Sequence, residues 1–230
     1  MKRIRIAIDG PAASGKSTTA KLVAERMGYV HLDTGAMYRA ITSGVLQAGI
    51  NIDDASDVQL FAEGADLVIE PSANRGFQIY LNGKDLSDEI RLPEVTKNVS
   101  TVSSYEAVRA VLVREQRKLA AEGGVVLEGR DIGTVVLPNA ELKIYMVAEV
   151  SERARRRKRD LQNAGIVASE LDVEKELLER DRKDSTRKAS PLRKADDAVL
   201  LDTSNMTIER QVDFIVKRAE KVVEALGDTL

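Results

Sequence analysis

The chain has 230 residues, of which 43% are hydrophobic and 31% charged, a composition that can bury one large core or two small ones and argues against disorder. Its 35 Lys and Arg against 37 Asp and Glu give a formal charge of −2, which excludes a generally basic nucleic-acid coat. The absence of cysteine excludes disulfides and thiolate chemistry, and a single histidine excludes a multi-histidine metal site.

The first part of the chain alternates between strand and helix. Alternating isoleucines predict a strand over 4–8, which ends at an Asp-Gly-Pro turn. Apolar residues at helical spacing predict a helix over 16–27, closed by a glycine. A strand over 29–32 and a helix over about 36–48 follow. This order predicts a parallel sheet covered by helices.

The middle of the chain departs from this alternation. Segments 67–69 and 77–81 are strand-like, and Asn82-Gly83 is a strong signal for a hairpin turn. We therefore predict a small antiparallel insert over about 66–86, because strands joined by tight turns cannot be parallel neighbours. A helical stretch and a helix over about 105–121 follow it.

The α/β pattern then resumes to the end of the chain. Strands are predicted over 125–127, 142–147 and 199–201, and a last helix over about 208–226 carries apolar residues on one face. The remaining residues form two insertions in this pattern, over about 50–121 and 151–194.

The second insertion concentrates positive charge. Residues 151–194 hold 14 Lys or Arg and 9 Asp or Glu, a net charge of +5, so the rest of the chain carries −7. This bias indicates a polyanionic ligand. Helical geometry would place Arg153, Arg156 and Arg157 on one side, as part of a mobile lid that closes over a triphosphate. A solvated helix face or a generic nucleic-acid patch is the alternative.

A phosphate-loop motif, Gly10-Pro-Ala-Ala-Ser-Gly15-Lys16-Ser17, lies between the first strand and the first helix. Its two glycines let backbone N–H groups point inward at phosphate, and the helix start adds its positive dipole end. Lys16 would neutralise the outer phosphates, and the Ser17 hydroxyl is placed to ligate Mg²⁺. The motif predicts a nucleoside triphosphate site, against the alternative of an ordinary glycine-containing turn.

Arginine recurs at the ends of predicted elements, whereas the Asn-Lys-x-Asp signature of GTPases is absent. Arg39 and the Arg130-Asp131 pair follow glycine motifs at strand ends, where open parallel sheets bind ligands. Three more side chains would share one helix face: Arg180, Asp184 and Arg187. Arginine forks suit phosphate, and carboxylates can bind sugar hydroxyls or base amines. The alternative is that most of these residues are solvated surface charges.

Four different sequence blocks, spread over nearly the whole chain, occur in the same order as in a known family. They are Ile8-Asp9-Gly10-Pro11, Leu-Asp-Thr-Gly-Ala-Met-Tyr-Arg over 32–39, Glu-Gly-Arg-Asp-Ile-Gly-Thr-Val-Val over 128–136, and Arg180-Asp181…Asp184…Arg187…Pro191-Leu192. Together they resemble the bacterial-type cytidylate (CMP) kinases, a family of nucleoside monophosphate kinases. The resemblance implies a three-layer α/β P-loop kinase fold with a parallel central sheet, a monophosphate-binding insert with a small antiparallel sheet, and a helical lid. The implied division is a core over 1–49, 122–150 and 195–230, the insert over about 50–121 and the basic lid over about 151–194.

The same resemblance implies Mg²⁺-dependent transfer of the γ-phosphoryl of ATP to CMP or dCMP, giving ADP and CDP or dCDP. Catalysis would come from positioning and from cations, without a covalent nucleophile. The implied catalytic residues are Lys16, Arg130, Arg153 and Arg157. The implied ATP-binding residues are Gly10, Pro11, Ala12, Ala13, Ser14, Gly15, Lys16, Ser17, Thr18 and Arg156.

The family likeness also implies an acceptor set and a metal set. The residues expected to hold the acceptor phosphate are Arg39, Arg130 and Arg180. Those expected to bind cytosine are Ser100, Arg109 and Asp131, those for the sugar are Asp184 and Arg187, and Thr34 is expected to touch the nucleotide. Ser17 would bind Mg²⁺ directly and Asp33 through water.

Two alternatives stay open at this stage. One is a kinase for another small acceptor, such as UMP, AMP or a metabolite hydroxyl; the other is an ATP-dependent module that binds nucleic acid without catalysis. Scarce aromatic residues and the balanced charge count against the second. Since no run approaches the ~20 apolar residues of a membrane helix, we expect a cytoplasmic monomer with no membrane or nucleic-acid partner.

Overall fold

Strands and helices alternate through most of the chain in a computed structural model, which describes residues 3–72 and 76–227. The strands are β1 (Arg5–Asp9), β2 (Val30–Asp33), β3 (Leu67–Ser72), β4 (Gly76–Leu81), β5 (Lys84–Asp85), β6 (Val125–Gly129), β7 (Leu142–Val147) and β8 (Val199–Asp202). The helices are α1 (Lys16–Met27), α2 (Thr34–Gln47), α3 (Ala55–Gly64), α4 (Pro93–Val102), α5 (Glu106–Leu119), α6 (Val150–Asn163), α7 (Glu170–Thr186) and α8 (Ile208–Gly227). A 3₁₀ turn spans Glu89–Arg91, and a π-helical turn spans Ile132–Val136.

The central sheet has the strand order β2-β6-β1-β7-β8. Strand β1 lies in its middle, parallel to both neighbours, with Ile6 opposite Val126 on one side and Leu142 on the other. Because both faces of β1 are covered, its isoleucines are buried and its sequence is apolar. The α/β fold with a parallel central sheet, predicted from the sequence, is confirmed.

The chain divides into two compact units. Unit 1 comprises Met1–Leu32 and Glu122–Leu230, and unit 2 is the continuous segment Asp33–Ala121. In packing terms, helix α2 therefore belongs with the insert that follows it. The division into core, insert and lid stays a prediction, since it concerns ligand-binding roles and not compactness.

The core of unit 1 forms where helices α1 and α8 cover the sheet. Ile6 and Ile144 from the sheet, Val23 from α1 and Ile215 from α8 are all almost fully buried. The apolar stripe predicted for the last helix is the face that packs here, and burying each such side chain contributes about 1.5–3 kcal/mol. This core holds the carboxyl ends of β1, β6 and β7 in fixed positions.

Unit 2 contains the predicted antiparallel insert. Strands β3, β4 and β5 form a three-stranded sheet, and Asn82-Gly83 makes the turn between β4 and β5, with both residues at positive φ. The predicted insert includes residues 73–75, which lie outside the described residues. Helix α3 was not predicted; Asp54 caps it by accepting the N–H groups of Ser56 and Asp57.

In the described part of the chain, no helix is both long enough and apolar enough to cross a membrane.

Candidate active site

The phosphate loop connects β1 to α1 in unit 1, and its backbone takes conformations that few L-residues adopt. Gly15, at φ 94°, precedes the first residue of α1, and Ala13 has φ 58°. Gly10 lies so close to β7 that a Cβ there would collide with the carbonyl oxygen of Met146. A left-handed conformation costs an L-residue about 1–2 kcal/mol, so the surrounding structure holds the loop in this shape.

Lys16 is buried at the start of α1, with its ammonium group turned back toward the loop. Its Nζ donates to the carbonyl oxygen of Pro11 at 2.7 Å and lies 3.4 Å from Ser14 Oγ. Burial, and secondly the repulsion of Arg130, lower the pKa of Lys16 to about 7, against the attraction of Glu128 and Asp9. The lysine therefore lies in an environment that an anion would make much more favourable.

Two carboxylates beside the loop hold it to strand β6 and the turn that follows. The exposed Ser17 donates its hydroxyl to Glu128 Oε2 at 2.7 Å, and Glu128 Oε1 lies 3.1 Å from Nε2 of His31. Asp9 accepts the N–H groups of Ile132 and Gly133, both at 2.7 Å. Burial raises the pKa of Asp9 to about 6 despite these hydrogen bonds.

The oxygen chemistry beside the loop fits Mg²⁺. A serine hydroxyl that donates its proton to a carboxylate keeps its lone pairs free for a cation, and hard oxygen donors are those that magnesium prefers. Among the described residues, no cluster of three or more His, Asp or Glu side chains could hold a metal ion. Mg²⁺ generally keeps several waters and uses one or two protein ligands plus phosphate oxygens.

Helix α6 brings the basic run against the phosphate loop. Arg153 is buried, pairs with Asp181 Oδ2 at 2.6 Å and donates to Ala12 O at 3.2 Å. Arg156 donates to Ser14 O at 3.3 Å and to the carbonyl oxygen of Thr203 at 2.6 Å. Arg157 is half-buried and has no ion pair or hydrogen bond with another described residue. Arg153 and Arg156 therefore contact the loop backbone, whereas Arg157 forms no hydrogen bond with it.

A cavity of about 520 Å³ lies over this part of unit 1. It is lined by Lys16, Thr18 and other loop residues, by Arg156, Arg157 and Arg180, and by the start of α8. Its volume is that of a site for a small molecule, and most of the charged groups in its wall are cationic. Seven of the ten predicted ATP-binding residues line this cavity, and the other three, Gly10, Pro11 and Ser14, do not.

Four of the predicted acceptor residues form ion pairs across α7 and the segment after β6. Arg130 Nε donates to Asp184 Oδ2 at 2.8 Å, and Arg187 Nη2 lies 3.7 Å from Asp131 Oδ1. Burial alone would raise the pKa of Asp184, but Arg130 and Arg180 hold it below its ordinary value. Burial likewise opposes the charge of Arg130, but Asp184 keeps its pKa above the ordinary value. These pairs keep the guanidinium groups charged and oriented.

Of the remaining predicted acceptor residues, Arg180 lies on α7 in unit 1, and the other four belong to unit 2: Thr34, Arg39, Ser100 and Arg109. Asp33 caps helix α2 by accepting the N–H of Ala36 and also pairs with Arg39 at 2.8 Å. Thr34 is buried in the first turn of the same helix.

The residues predicted for base binding lie farther along unit 2. Arg109 is buried on α5, lies 5.2 Å over the ring of Tyr38 and donates to Ser103 O. Ser100 is half-buried on α4.

The prediction from sequence missed the side chains whose hydrogen bonds and ion pairs hold the predicted site residues in place. The sequence patterns assign no role to Glu128, Asp181 or Thr203. Their partners Ser17, Arg153 and Ser14 are far away in sequence, so only the folded structure brings each pair together. The one available signal was an acidic or hydroxyl residue directly at a strand end, as in Glu128 and Thr203.

Comparison with known proteins gives consistent results. Residues 6–221 match the sequence model of the family described as Cytidylate kinase. Proteins named cytidylate kinase from Limosilactobacillus reuteri and Streptococcus thermophilus are 48% and 46% identical to the chain, covering 98% and 97% of it and 99% of each relative. A solved structure of an uncharacterized protein from Eubacterium ventriosum aligns with a TM-score of 0.52 at 14% identity, covering 96% of this chain and 99% of the other. The last match indicates a shared fold and nothing beyond it.

Proposed function

We propose, from the premise that the chain belongs to the cytidylate kinase family, an assignment of the residues that carry out its reaction. The protein is an ATP-dependent nucleoside monophosphate kinase that phosphorylates CMP to CDP. We propose that dCMP is also an acceptor and that Mg²⁺ is the cofactor. The proposal includes action as a monomer in the cytoplasm, with no membrane or nucleic-acid partner.

The donor assignment rests on the phosphate loop. Backbone N–H groups of residues 10–17, the N-terminus of α1 and the ammonium of Lys16 would surround the β- and γ-phosphates of ATP. The single observation that carries this assignment is the buried Lys16 at the start of α1, whose ammonium group turns back to the loop and donates to Pro11 O at 2.7 Å. Burial also lowers its pKa, because the loop solvates the charge poorly until an anion arrives. Thr18 and Arg156 would border the same nucleotide.

The acceptor assignment follows the ion pairs described above. Arg39, Arg130 and Arg180 would bind the phosphate of CMP, and Asp184 with Arg187 the sugar. Cytosine would be bound by Ser100, Arg109 and Asp131, with Thr34 against the nucleotide. Arginines already paired with carboxylates are oriented in advance, so less side-chain entropy is lost on binding.

The chain's residues act in the reaction by position and charge. A phosphate oxygen of CMP forms a bond to the γ-phosphorus of ATP while the bond to the β–γ bridging oxygen breaks, giving CDP and ADP. Lys16, Arg130, Arg153 and Arg157 would stabilise the charge on the transferred group, and the lid would exclude water that otherwise hydrolyses ATP. No side chain needs to form a covalent bond.

Mg²⁺ would be held by Ser17 directly and by Asp33 through water, with phosphate oxygens completing its shell. When bound, it neutralises phosphate charge and orients the nucleotide. Glu128 supports this assignment because it accepts the Ser17 proton and leaves the hydroxyl lone pairs available.

An acceptor panel tests the function. The protein is assayed with ATP and Mg²⁺ against CMP, dCMP, UMP, AMP and a polyol, with ADP formation as readout. We expect turnover with CMP and dCMP well above that with the others. Lys16→Met should lower kcat on the order of a hundredfold with an unchanged thermal melting curve.

Two results would contradict the proposal. Turnover of AMP or of the polyol, with no turnover of CMP, would show that the acceptor is not CMP. Undiminished turnover by Lys16→Met would remove the donor assignment.

A further inference from the structure

Three carbonyl groups of the phosphate loop, those of Pro11, Ala12 and Ser14, each receive a side-chain hydrogen bond. Lys16 Nζ donates to Pro11 O at 2.7 Å, and Arg153 Nη1 donates to Ala12 O at 3.2 Å. Thr203 Oγ1 lies 2.9 Å from Ser14 O and 3.0 Å from Val147 O, so these two oxygens share its one proton, and Arg156 Nη1 lies 3.3 Å from Ser14 O. We call the oxygens of Ala12 and Ser14 the outer carbonyls, because the donors that hold them come from outside the loop.

The orientation of these carbonyls fixes the orientation of the neighbouring N–H groups. A trans peptide group is planar, with its C=O and N–H pointing in opposite directions. Holding the oxygen of Ala12 therefore directs the N–H of Ala13, and holding the oxygen of Ser14 directs the N–H of Gly15. In a phosphate loop these N–H groups are the ones that bind the anion, so donors on the outer side preorganise the inner side.

Arg153 and Arg156 are themselves held in place by partners that belong to the protein. Arg153 is 6% exposed and pairs with Asp181 of α7 at 2.6 Å. Arg156 pairs with Glu152 at 2.8 Å and contacts both the hydroxyl and the carbonyl of Thr203. Of the five N–H donors of each guanidinium group, three in Arg153 and four in Arg156 already have acceptors within the protein, whereas Arg157 has no such acceptor among the described residues.

We propose that Asp181 and Thr203 are positioning residues that preorganise the phosphate loop through its outer carbonyls. Asp181 acts through Arg153 on Ala12, and Thr203 acts directly and through Arg156 on Ser14. In this assignment Arg153 and Arg156 brace the loop backbone, and Arg157 is the arginine of α6 that reaches the phosphates. The inference rests on the proposed function, since it concerns the same ATP site, and it changes the part assigned to Arg153.

Substitution of Asp181 distinguishes a brace from a phosphate contact by the sign of its effect. If Arg153 bound phosphate, Asp181→Asn would remove a competing carboxylate and leave nucleotide affinity equal or higher. If Arg153 braces the loop, the same change weakens affinity, even though it removes a negative charge beside an anion site. We expect Asp181→Asn to weaken the binding of ADP and of inorganic tripolyphosphate about tenfold.

Thr203 offers a test that changes no charge. Thr203→Val keeps the shape and removes the hydroxyl, and we expect about tenfold weaker binding of ADP and tripolyphosphate. Thr203→Ser restores the hydroxyl and should restore the affinity. The control is Thr42→Val, which removes another buried threonine hydroxyl that donates to a backbone oxygen, Tyr38 O at 2.8 Å, in unit 2. Titration calorimetry without metal gives the affinities, and thermal melting confirms that each variant is folded.

The measurements separate failure of this inference from failure of the proposed function. If the wild-type protein bound neither ADP nor tripolyphosphate, the proposed function would fall. If the wild type bound both while Asp181→Asn and Thr203→Val bound them equally well, only the preorganisation inference would fall. A positioning role also predicts that KM for CMP at saturating ATP changes less than twofold. A general loss of structure would instead weaken the binding of both substrates.

Discussion

Lys16 is a positively charged residue kept in a place that solvates charge poorly. Its pKa of about 7 lies below the ordinary value of 10.5 chiefly because of burial, and secondly because Arg130 repels it. The unfolded chain therefore binds more protons than the folded chain between about pH 7 and 10.5, and the free energy of unfolding rises with pH across that interval. The function of the loop is thus obtained at some expense of stability near neutral pH.

The same shift predicts proton uptake on nucleotide binding. At pH 8 most Lys16 side chains are neutral in the free protein, and the negative phosphates raise the pKa, so binding of ADP should take up close to one proton, about 0.9. At pH 6 the lysine is already protonated and the uptake should disappear. Calorimetry in two buffers of different ionisation enthalpy measures the number of protons.

The control for proton uptake is Lys16→Met, which should show none at either pH. A wild-type protein that takes up no proton at pH 8 would show that Lys16 is already charged in the free loop, and the lowered pKa would be wrong.

Sequence reasoning found the residues of the loop but not the residues that hold them. Lys16 and Ser17 are recognisable because their chemistry is local to one short motif. Glu128 is separated from Ser17 by 111 positions and Thr203 from Ser14 by 189, so their hydrogen bonds depend on which strands are neighbours. The strand order β2-β6-β1-β7-β8 supplies that information, and the alternation of strands and helices alone does not.

At the scale of elements, α6 shows how one basic helix divides its charges. Arg155 is exposed and pairs with Glu152 at 2.6 Å, while Arg153 faces the loop and Arg157 lines the cavity. The periodicity of 3.6 residues places neighbours in sequence on different faces. A run of six cations between 153 and 159 is therefore several surfaces and not one.

A pair of adjacent substitutions tests this division. Arg157→Ala should lower kcat/KM for ATP about ten- to a hundredfold, because it removes a cation that we assign to the phosphates. Arg155→Ala removes the same charge two positions away and should change kcat/KM less than twofold. Steady-state kinetics with CMP held saturating measure both. Equal losses would mean that the helix acts through its total charge, and the assignment to faces would be wrong.

The elements that were predicted well have strong local signals at both ends. Helix α1 runs from Lys16 to Met27 as predicted, because Gly15 and Gly28 at its two ends both adopt positive φ. Helix α3 was missed because its buried residues are few: only Val58 and Ala62 are fully covered. The π-helical turn over Ile132–Val136 has no sequence signature, because its start is held by Asp9 of β1, which accepts a hydrogen bond from the N–H of Ile132.

At the scale of the whole molecule, the chain builds two cores. Ile6, Ile144 and Ile215 belong to one, and Ile41 and Ile79 to the other. The phosphate loop and the lid helices belong to unit 1, and unit 2 carries Thr34, Arg39, Ser100 and Arg109 of the proposed CMP contacts. A sequence pattern does not predict which residues share a core, because the residues that pack against each other come from distant segments.

This distribution predicts that a substitution in unit 2 weakens the binding of CMP and leaves the binding of the adenine nucleotide unchanged. Arg109 is buried on α5 over the ring of Tyr38, and we assign it to cytosine. Arg109→Met keeps most of the apolar contact and removes the hydrogen-bond donors, so KM for CMP should rise about ten- to a hundredfold. The affinity for ADP, measured by calorimetry without CMP, should stay within twofold of wild type, because the phosphate loop belongs to the other unit.

Arg114→Met is the matched control, since this arginine lies on the same helix but is 64% exposed. It should leave KM for CMP unchanged, and thermal melting of both variants shows whether unit 2 keeps its core. An equal loss of ADP affinity and CMP recognition in Arg109→Met would mean that the residue serves the whole fold. An unchanged KM for CMP would instead remove Arg109 from the acceptor set and shift cytosine recognition to Asp131, whose carboxylate is oriented by Arg187 in unit 1.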